Sequence, residues 1–440
     1  MKGLRLKDVC TKIGSGATPR GGGEVYVARG VALIRSQNIY NDGFHEDGLA
    51  FIGPGHAEEL SSVEVAEDDV LLNITGDSVA RACLAPALVL PARVNQHVTI
   101  IRPDPARLDP RYLHYHLVSP TKQDEMLALA SAGATRDALT KGMIEAFEVP
   151  DPGIVTQRRI ANVLQALDNK IEHNRRTCRA LERLARAIFK AWFVDFEPVK
   201  AKAAGARSFP SMPQPAFDAL PDRFTDSELG QVPTGWEVSS FGSFGEITIG
   251  GDWGDDAAFE GGTQAACLRG VDLEHFRKTG EATPPLRWFK PQSLERRKMN
   301  PCDVLVAGSG AGPTGRPLWM SPRLLATLPN AVYSNFCKRI RCRSQAHAIF
   351  LDAHLHEMRE SGTIWDFING TSVPNLDGAS LMTGKFVALP PESLLAEYEQ
   401  IVLPIWERHY AGENQALATL RDYLLPKLLS GEVRVEAAHA

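Results

Sequence analysis

The chain has 440 residues, 44% hydrophobic and 23% charged, enough for two or three domains of ordinary soluble composition. No run approaches the ~18–20 apolar residues of a membrane span, and Met-Lys-Gly-Leu-Arg-Leu-Lys-Asp-Val-Cys at the start has no signal-like apolar core, so a cytoplasmic protein without a membrane partner is expected. A net charge of −5 excludes a uniformly basic nucleic-acid binder, and seven scattered cysteines with no C-x-x-C pair are expected to be reduced thiols.

Residues 1–152 read as a first α+β domain. Short β-runs at Val31–Ile34, Val70–Ile74, Ala87–Leu90 and Val98–Ile101 alternate with Gly- and Pro-rich turns; Pro110–His116 and Thr121–Ser131 are candidate helices. Arg35, Gln37, Asn38, Asn73, Thr75 and Arg81 lie in its polar turns. Arg, Asn and Gln pair with guanine and adenine edges, so these are candidate DNA contacts as a set; taken singly, each reads more readily as a turn or cap residue. The H-x-H pairs His114/His116 and His354/His356 lack a neighbouring Cys or carboxylate cluster. They read as ordinary histidines, and no metal site is expected.

A long helix follows over 153–195, with Thr156 as its candidate cap. Positions 160, 164, 167, 171, 174, 178, 181, 185, 188 and 192 step by 4 and 3 and hold Ile, Leu, Leu, Ile, Asn, Cys, Leu, Ala, Ile and Trp. That is a coiled-coil seam. Asn174, its one strongly polar member, either fixes register or faces solvent. The helical residues 156–193 would span ~57 Å at ~1.5 Å each, more than one DNA turn of ~34–36 Å. Arg175, Arg176, Arg179, Arg183 and Arg186, with Phe189, Trp192 and Phe193 nearby, are candidates for subunit docking or phosphate contact. Residues 196–227, rich in Ala and Pro and without periodicity, read as a linker.

A second α+β domain is expected over 228–392. It contains Gly310-Ala-Gly312-Pro-Thr-Gly315, a G-x-G-x-x-G string after a strand-like run. A dinucleotide loop needs a helix at its last glycine, whereas Pro317 and Pro322 oppose one here. A hairpin with glycines at positive φ is expected instead. Arg269, Ser309, Arg316, Ser334 and Asn335 are this domain's candidate DNA contacts. A helix over 393–432 follows, with a stripe of Ile401, Ile405, Leu417, Leu420, Leu424 and Leu428. Pro404 should kink it, Gly412 weaken it and Gly431 end it. Neither long helix can bury its stripe alone, so the two should pack antiparallel.

The two domains repeat one plan. Asp-Val-Leu at 69–71 recurs at 303–305, an offset of 234, each time followed by a glycine loop and an arginine. The strings at 33–44 and 267–280, 94–103 and 333–342, and 131–152 and 368–391 correspond in the same order. Charge does not repeat. Residues 34–109 hold 5 basic and 12 acidic residues, net −7, whereas 268–343 hold 14 and 5, net +9; 156–190 hold 9 and 3, net +6. The latter two segments can attract a polyanion; the first cannot by its field alone.

Catalytic motifs are all but missing. Asn300-Pro-Cys-Asp303 lacks the second proline and aromatic of an amino-methyltransferase. Pro150-Asp151 with Asp168-x-Lys170 spells a nuclease pattern, but Asp168 and Lys170 do not share a helix face. No catalytic residue is assigned.

The string "QRRIANVLQALDNKIEHNRRTCRALERLARAIFKAWFVDFEPVKAK" (157–202) resembles the central helix of specificity subunits of type I restriction–modification systems. "ELGQVPTGWEVSSFG" (228–242) resembles the entry to their second recognition domain, and "LRDYLLPKLLSGEVRV" (420–435) their C-terminal end. The resemblance covers essentially the whole chain. It implies two target recognition domains separated by an antiparallel coiled-coil pair, and a bipartite, asymmetric site on double-stranded DNA. It implies two methyltransferase subunits that bring S-adenosylmethionine, and ATP- and Mg-dependent endonuclease subunits; the chain itself would carry no cofactor and no active site. The acidic first domain departs from this picture. A stand-alone tandem DNA-binding regulator and an enzyme with an unrecognised site are the alternatives.

Overall fold

The computed structural model describes residues 3–132, 137–310, 312–370 and 372–435. The chain divides into two compact units: residues up to Lys170 with those from Ala416 on, and Ile171–Gln415. The repeat strings therefore include short stretches, 133–136, Ala311 and Thr371, outside the described residues.

In the first unit an antiparallel sheet has the strand order Ala82–Leu84, Val70–Asn73, Val98–Pro103, Cys10–Ser15. The Val-Leu-Leu run at 70–72 is buried on both faces: Val70 and Leu72 enter one apolar cluster with Leu6, Tyr112 and Ile160, and Leu71 enters another with Leu33 and Val94. Alternating side chains on a strand produce this division. A second sheet has the order Tyr26–Val27, Ala50–Ile52, Val31–Ile34, Ala92–Val94, Glu64–Val65. Its Val31–Ile34 and Ala92–Val94 strands are parallel; its other pairs are antiparallel. Gly3–Arg5 pairs with Glu148–Pro150, which leads into the long helix Ile154–Phe189.

The second unit repeats this topology. Pro317–Trp319, Asp303–Ala307, Cys337–Cys342 and Gly245–Thr248 form the four-stranded sheet in the same order. Thr263–Leu268 lies antiparallel to Leu286–Phe289 and parallel to Val332–Tyr333, as Val31–Ile34 does to its neighbours. Glu237–Ser240 pairs with Phe386–Leu389, which leads into the helix Glu392–His409. The α+β class and the tandem repeat hold.

The seam is buried at Ile160, Leu164, Ile171, Cys178, Ala185, Ile188 and Trp192. Each unit contains its own antiparallel helix contact. In the first, Asp168 meets Arg421 at 2.8 Å, and Ile160 and Leu164 share a core with Leu425, Leu428 and Leu429. In the second, Asn174 Nδ2 donates to Asn414 Oδ1 at 3.0 Å, Cys178 Sγ lies 3.4 Å from the His409 carbonyl, and Phe189 packs on Tyr398.

Several expectations change. The helix begins at Ile154, after Gly153 at φ 84°, so Thr156 lies inside it and is no cap. Ala87–Val89 is a 3-10 turn between Pro86 and Pro91, which deny a strand its ladder donors. The C-terminal helix is two helices, Glu392–His409 and Asn414–Ser430, broken around Gly412 at φ 68°; Pro404 sits within the first without ending it. The segment 196–227 is no open linker. It folds into helices Glu197–Ala203 and Gln214–Ala219, and Val199, Met212, Ala216, Phe217 and Leu220 join the second unit's core. No helix among the described residues is long and apolar enough to cross a membrane.

Candidate nucleic-acid interface

Strand direction gathers four loops of each unit on one edge. In the first unit Val98 pairs with Asn73 and Thr99 with Ser15, so Cys10–Ser15 and Val70–Asn73 end where Val98–Pro103 begins. The parallel strands Val31–Ile34 and Ala92–Val94 end there too, with Asn95 N donating to Ile34 O at 3.0 Å. In the second unit Ala307 pairs with Cys337 and Leu268 with Tyr333, and Ser334 N donates to Leu268 O at 2.9 Å. The loops after Ser15, Ile34, Asn73 and Val94, and after Thr248, Leu268, Ala307 and Tyr333, are equivalent sets.

The predicted contact residues divide between loop builders and exposed groups. Asn38 is wholly buried: its Oδ1 accepts Arg35 N at 3.1 Å, and its Nδ2 donates to His45 O at 2.9 Å and Asp47 O at 3.2 Å. Asn73 is equally buried and donates to Ser36 O at 2.9 Å. Ser334 is buried beside Cys337. These three shape the loops and have no surface to offer a base, which corrects their assignment as contacts. Arg35 and Gln37 both donate to Gly48 O, at 2.6 and 3.1 Å; Gln37 is exposed and Arg35 half-buried. Arg81 lies 4.8 Å over the Tyr40 ring, and Thr75 Oγ1 bonds His97 Nδ1 at 2.6 Å.

In the second unit Arg269 caps its own helix with Asp272, Nη2 to Oδ1 at 2.9 Å, while its side chain stays 42% exposed. Arg316 pairs with Glu274, and burial beside Arg359 lowers its pKa. Ser309 is half-buried and Asn335 exposed. The structure adds residues the composition of turns did not single out. Gln96 is exposed and His97 half-buried at the tip where the second unit places Asn335 and Phe336. Phe336 is 65% exposed although its carbonyl is held by Gly308 N at 2.7 Å. The pairing of 94–103 with 333–342 already sets Gln96 against Asn335 and His97 against Phe336.

The glycine string is a hairpin. Ala307 N donates to Arg316 O and Gly315 N to Ala307 O, with Gly315 at φ 82° and Gly310 at φ 120°; a strand, Pro317–Trp319, follows. In the first unit Asn73 N donates to Arg81 O and Ala80 N to Asn73 O, with Ala80 at φ 72°. The same turn is built without G-x-G-x-x-G.

On the long helix Glu172 pairs with Arg176 at 2.8 Å and Arg179 at 3.1 Å, and Arg186 lies 3.5 Å from Glu360. Arg176, Arg179 and Arg183 are exposed; Arg175 and Arg186 are half-buried. Phe189, Trp192 and Phe193 are core residues, at most 3% exposed, packed against Phe350, Tyr398 and Trp236. They cannot dock a subunit, and the docking assignment narrows to the arginines. Asn174 has the polar partner a register residue needs.

The catalytic spellings resolve into structure. Asp168 accepts from Tyr115 Oη at 2.6 Å and from Arg421, and Asp151 accepts from Gly153 N at 2.9 Å at the helix entry. Asn300 Oδ1 accepts Cys302 N, and Asp303 is held by Arg341. Burial pushes His114 and His116 down to about 4, His354 to about 3 and His356 to about 2; His114 and His356 are buried, and His116 and His354 are half-buried.

Two copies of one scaffold, each carrying its own loop set on the equivalent edge, define a tandem recognition protein. Residues 1–183 match the family described as type I restriction modification DNA specificity domain. The chain is 26% identical over 333 residues to the type I restriction enzyme MjaIX specificity subunit of Methanocaldococcus jannaschii, covering 73% of this chain and 69% of that one. It is 24% identical over 395 residues to the HindI specificity subunit of Haemophilus influenzae, covering 77% and 81%. The crystal structure of a type I restriction-modification S subunit from M. genitalium shares the fold, with a TM-score of 0.59 at 13% identity, over 99% of this chain and 96% of that chain. Residues 1–183 thus carry a type I restriction modification DNA specificity domain, and most of the chain is similar to specificity subunits of type I restriction enzymes.

Proposed function

We propose that the chain reads a bipartite, asymmetric DNA site, one block per unit, and directs methyltransferase and endonuclease subunits to it. One observation supports this most directly: the two units share a scaffold down to individual hydrogen bonds but differ in the side chains on the loop edge. A common frame with divergent loops is what two readers of different sequences need. Arg35, Gln37, Thr75, Arg81 and Gln96 serve one block; Arg269, Ser309, Arg316, Asn335 and Phe336 serve the other. The arginines at 175, 176, 179, 183 and 186 serve subunit docking or phosphate contact. S-adenosylmethionine, ATP and Mg act on two methyltransferase subunits and on the endonuclease subunits, with this chain as the non-catalytic reader in the cytoplasm.

The test is methylome sequencing of the source cell with and without this gene. A split methylated motif that disappears on disruption is expected. A methylome unchanged by disruption would remove the proposal.

A further inference from the structure

In each unit a buried aspartate and an arginine mark one identical spot. Arg102 Nε and Nη2 donate to Asp69 at 2.7 and 2.8 Å, and Arg341 Nε and Nη2 donate to Asp303 at 2.8 and 2.8 Å. The same arginines then reach a backbone carbonyl: Arg102 Nη2 to Glu64 O at 3.2 Å, and Arg341 Nη2 to Lys298 O at 3.4 Å. Glu64 and Lys298 thus occupy equivalent positions with opposite charge, 234 residues apart.

The element before each shows the same inversion. Helix Pro54–Glu59 follows the Ala50–Ile52 strand and presents exposed Glu58 and Glu59; exposed Glu64, Glu67 and Asp68 come after it. Helix Pro291–Arg297 follows the equivalent Leu286–Phe289 strand. Around it Lys290, Arg296 and Lys298 are exposed, with Glu295 the one carboxylate among them. None of those three cations has an ion pair among the described residues. This helix borders the loop edge: Arg297 Nε donates to Gly250 O at 3.0 Å, and Ser293 bonds Asp252 in the same loop.

We propose that Lys290, Arg296 and Lys298 form a phosphate-contact surface of the second unit, and that the first unit's equivalent surface stays off the DNA backbone. This rests on the DNA-reading proposal. Three exposed cations on and beside a helix whose Ser293 and Arg297 touch the loop after Thr248 suit a polyanion; at the equivalent place stand five carboxylates, of which only Glu64 is paired among the described residues, with Arg93 at 3.4 Å, and together they repel it. The two units would then contribute unequally. The second supplies sequence-independent affinity, and the first relies on base contacts or on phosphate contacts made by partner subunits.

The experiment measures binding of the full chain to a random-sequence DNA duplex across a salt series. Each phosphate contact contributes about −0.9 to the slope of log affinity against log salt. Substituting Lys290→Gln, Arg296→Gln and Lys298→Gln together should reduce the slope by about 2–3 and weaken low-salt binding about tenfold or more. Glu58→Gln, Glu59→Gln and Glu64→Gln together should leave the slope unchanged. Lys298→Gln alone, at an exposed position, should move the slope by about 1 should the triple variant fold poorly. A slope that the basic substitutions leave unaltered, or that the acidic ones change equally, overturns the assignment alone. A wild-type chain without salt-dependent duplex binding would overturn the DNA-reading proposal with it.

Discussion

The Asp69 carboxylate is wholly buried and receives both Nε and Nη2 of Arg102, while its Oδ2 also accepts Ala66 N at 2.7 Å. The second unit repeats this bond for bond, Asp303 Oδ2 accepting Asn300 N at 2.8 Å. Removing one partner of such a pair strands a charge, which costs more than the pair contributes. Asp69→Ala should therefore destabilise the first unit by about 3 kcal/mol. Hydrogen exchange should speed up in Val70–Asn73 and stay unchanged in Asp303–Ala307; equal acceleration in both strands would contradict this.

Acid should weaken the fold before the carboxylates titrate. Burial holds His114 at about 4 and His354 at about 3, below the ordinary 6.5 of the unfolded chain. Between those values the unfolded chain takes up protons that the folded chain refuses. Stability should fall as pH drops below about 6.5, by up to about 1.4 kcal/mol per pH unit for each histidine. Denaturant unfolding at several pH values checks this, and the joint variant His114→Gln and His354→Gln should flatten the slope.

The helix end separates packing from docking. Phe193→Ala should cost about 3–5 kcal/mol, because a large core ring leaves a cavity. Arg179→Glu, on the exposed face, should change stability by only about 0.5 kcal/mol. It should nevertheless reduce co-purification with the methyltransferase subunit. Thermal melts and pull-down on the same two variants read both quantities; normal co-purification of the arginine variant would end its docking role.

Much of the architecture is legible in the sequence, for identifiable reasons. Asp69-Val-Leu and Asp303-Val-Leu survive in both units because a buried strand and its ion pair tolerate few alternatives. The helical seam is legible because 4-and-3 spacing is a geometric requirement. The burial of Trp192 follows from the seam, but that of Phe189 and Phe193 is not legible, because periodicity finds one buried stripe and this helix end is packed on more than one side. The folding of 196–220 is hidden as well: Val199, Met212 and Phe217 are core residues spaced too irregularly to signal it. Asn38 and Asn73 have the chemistry of base readers, and only their burial shows it spent on carbonyls of their own loops.

The central claim is that each unit reads its own block of DNA. Selection of bound duplexes from a randomised pool, compared among the wild-type chain, Gln96→Ala and Asn335→Ala, tests it most directly. Each substitution should relax one block of a split motif at about 1–3 kcal/mol per lost base contact and leave the other block intact. Both variants relaxing the same block, or neither altering the motif, would contradict the account.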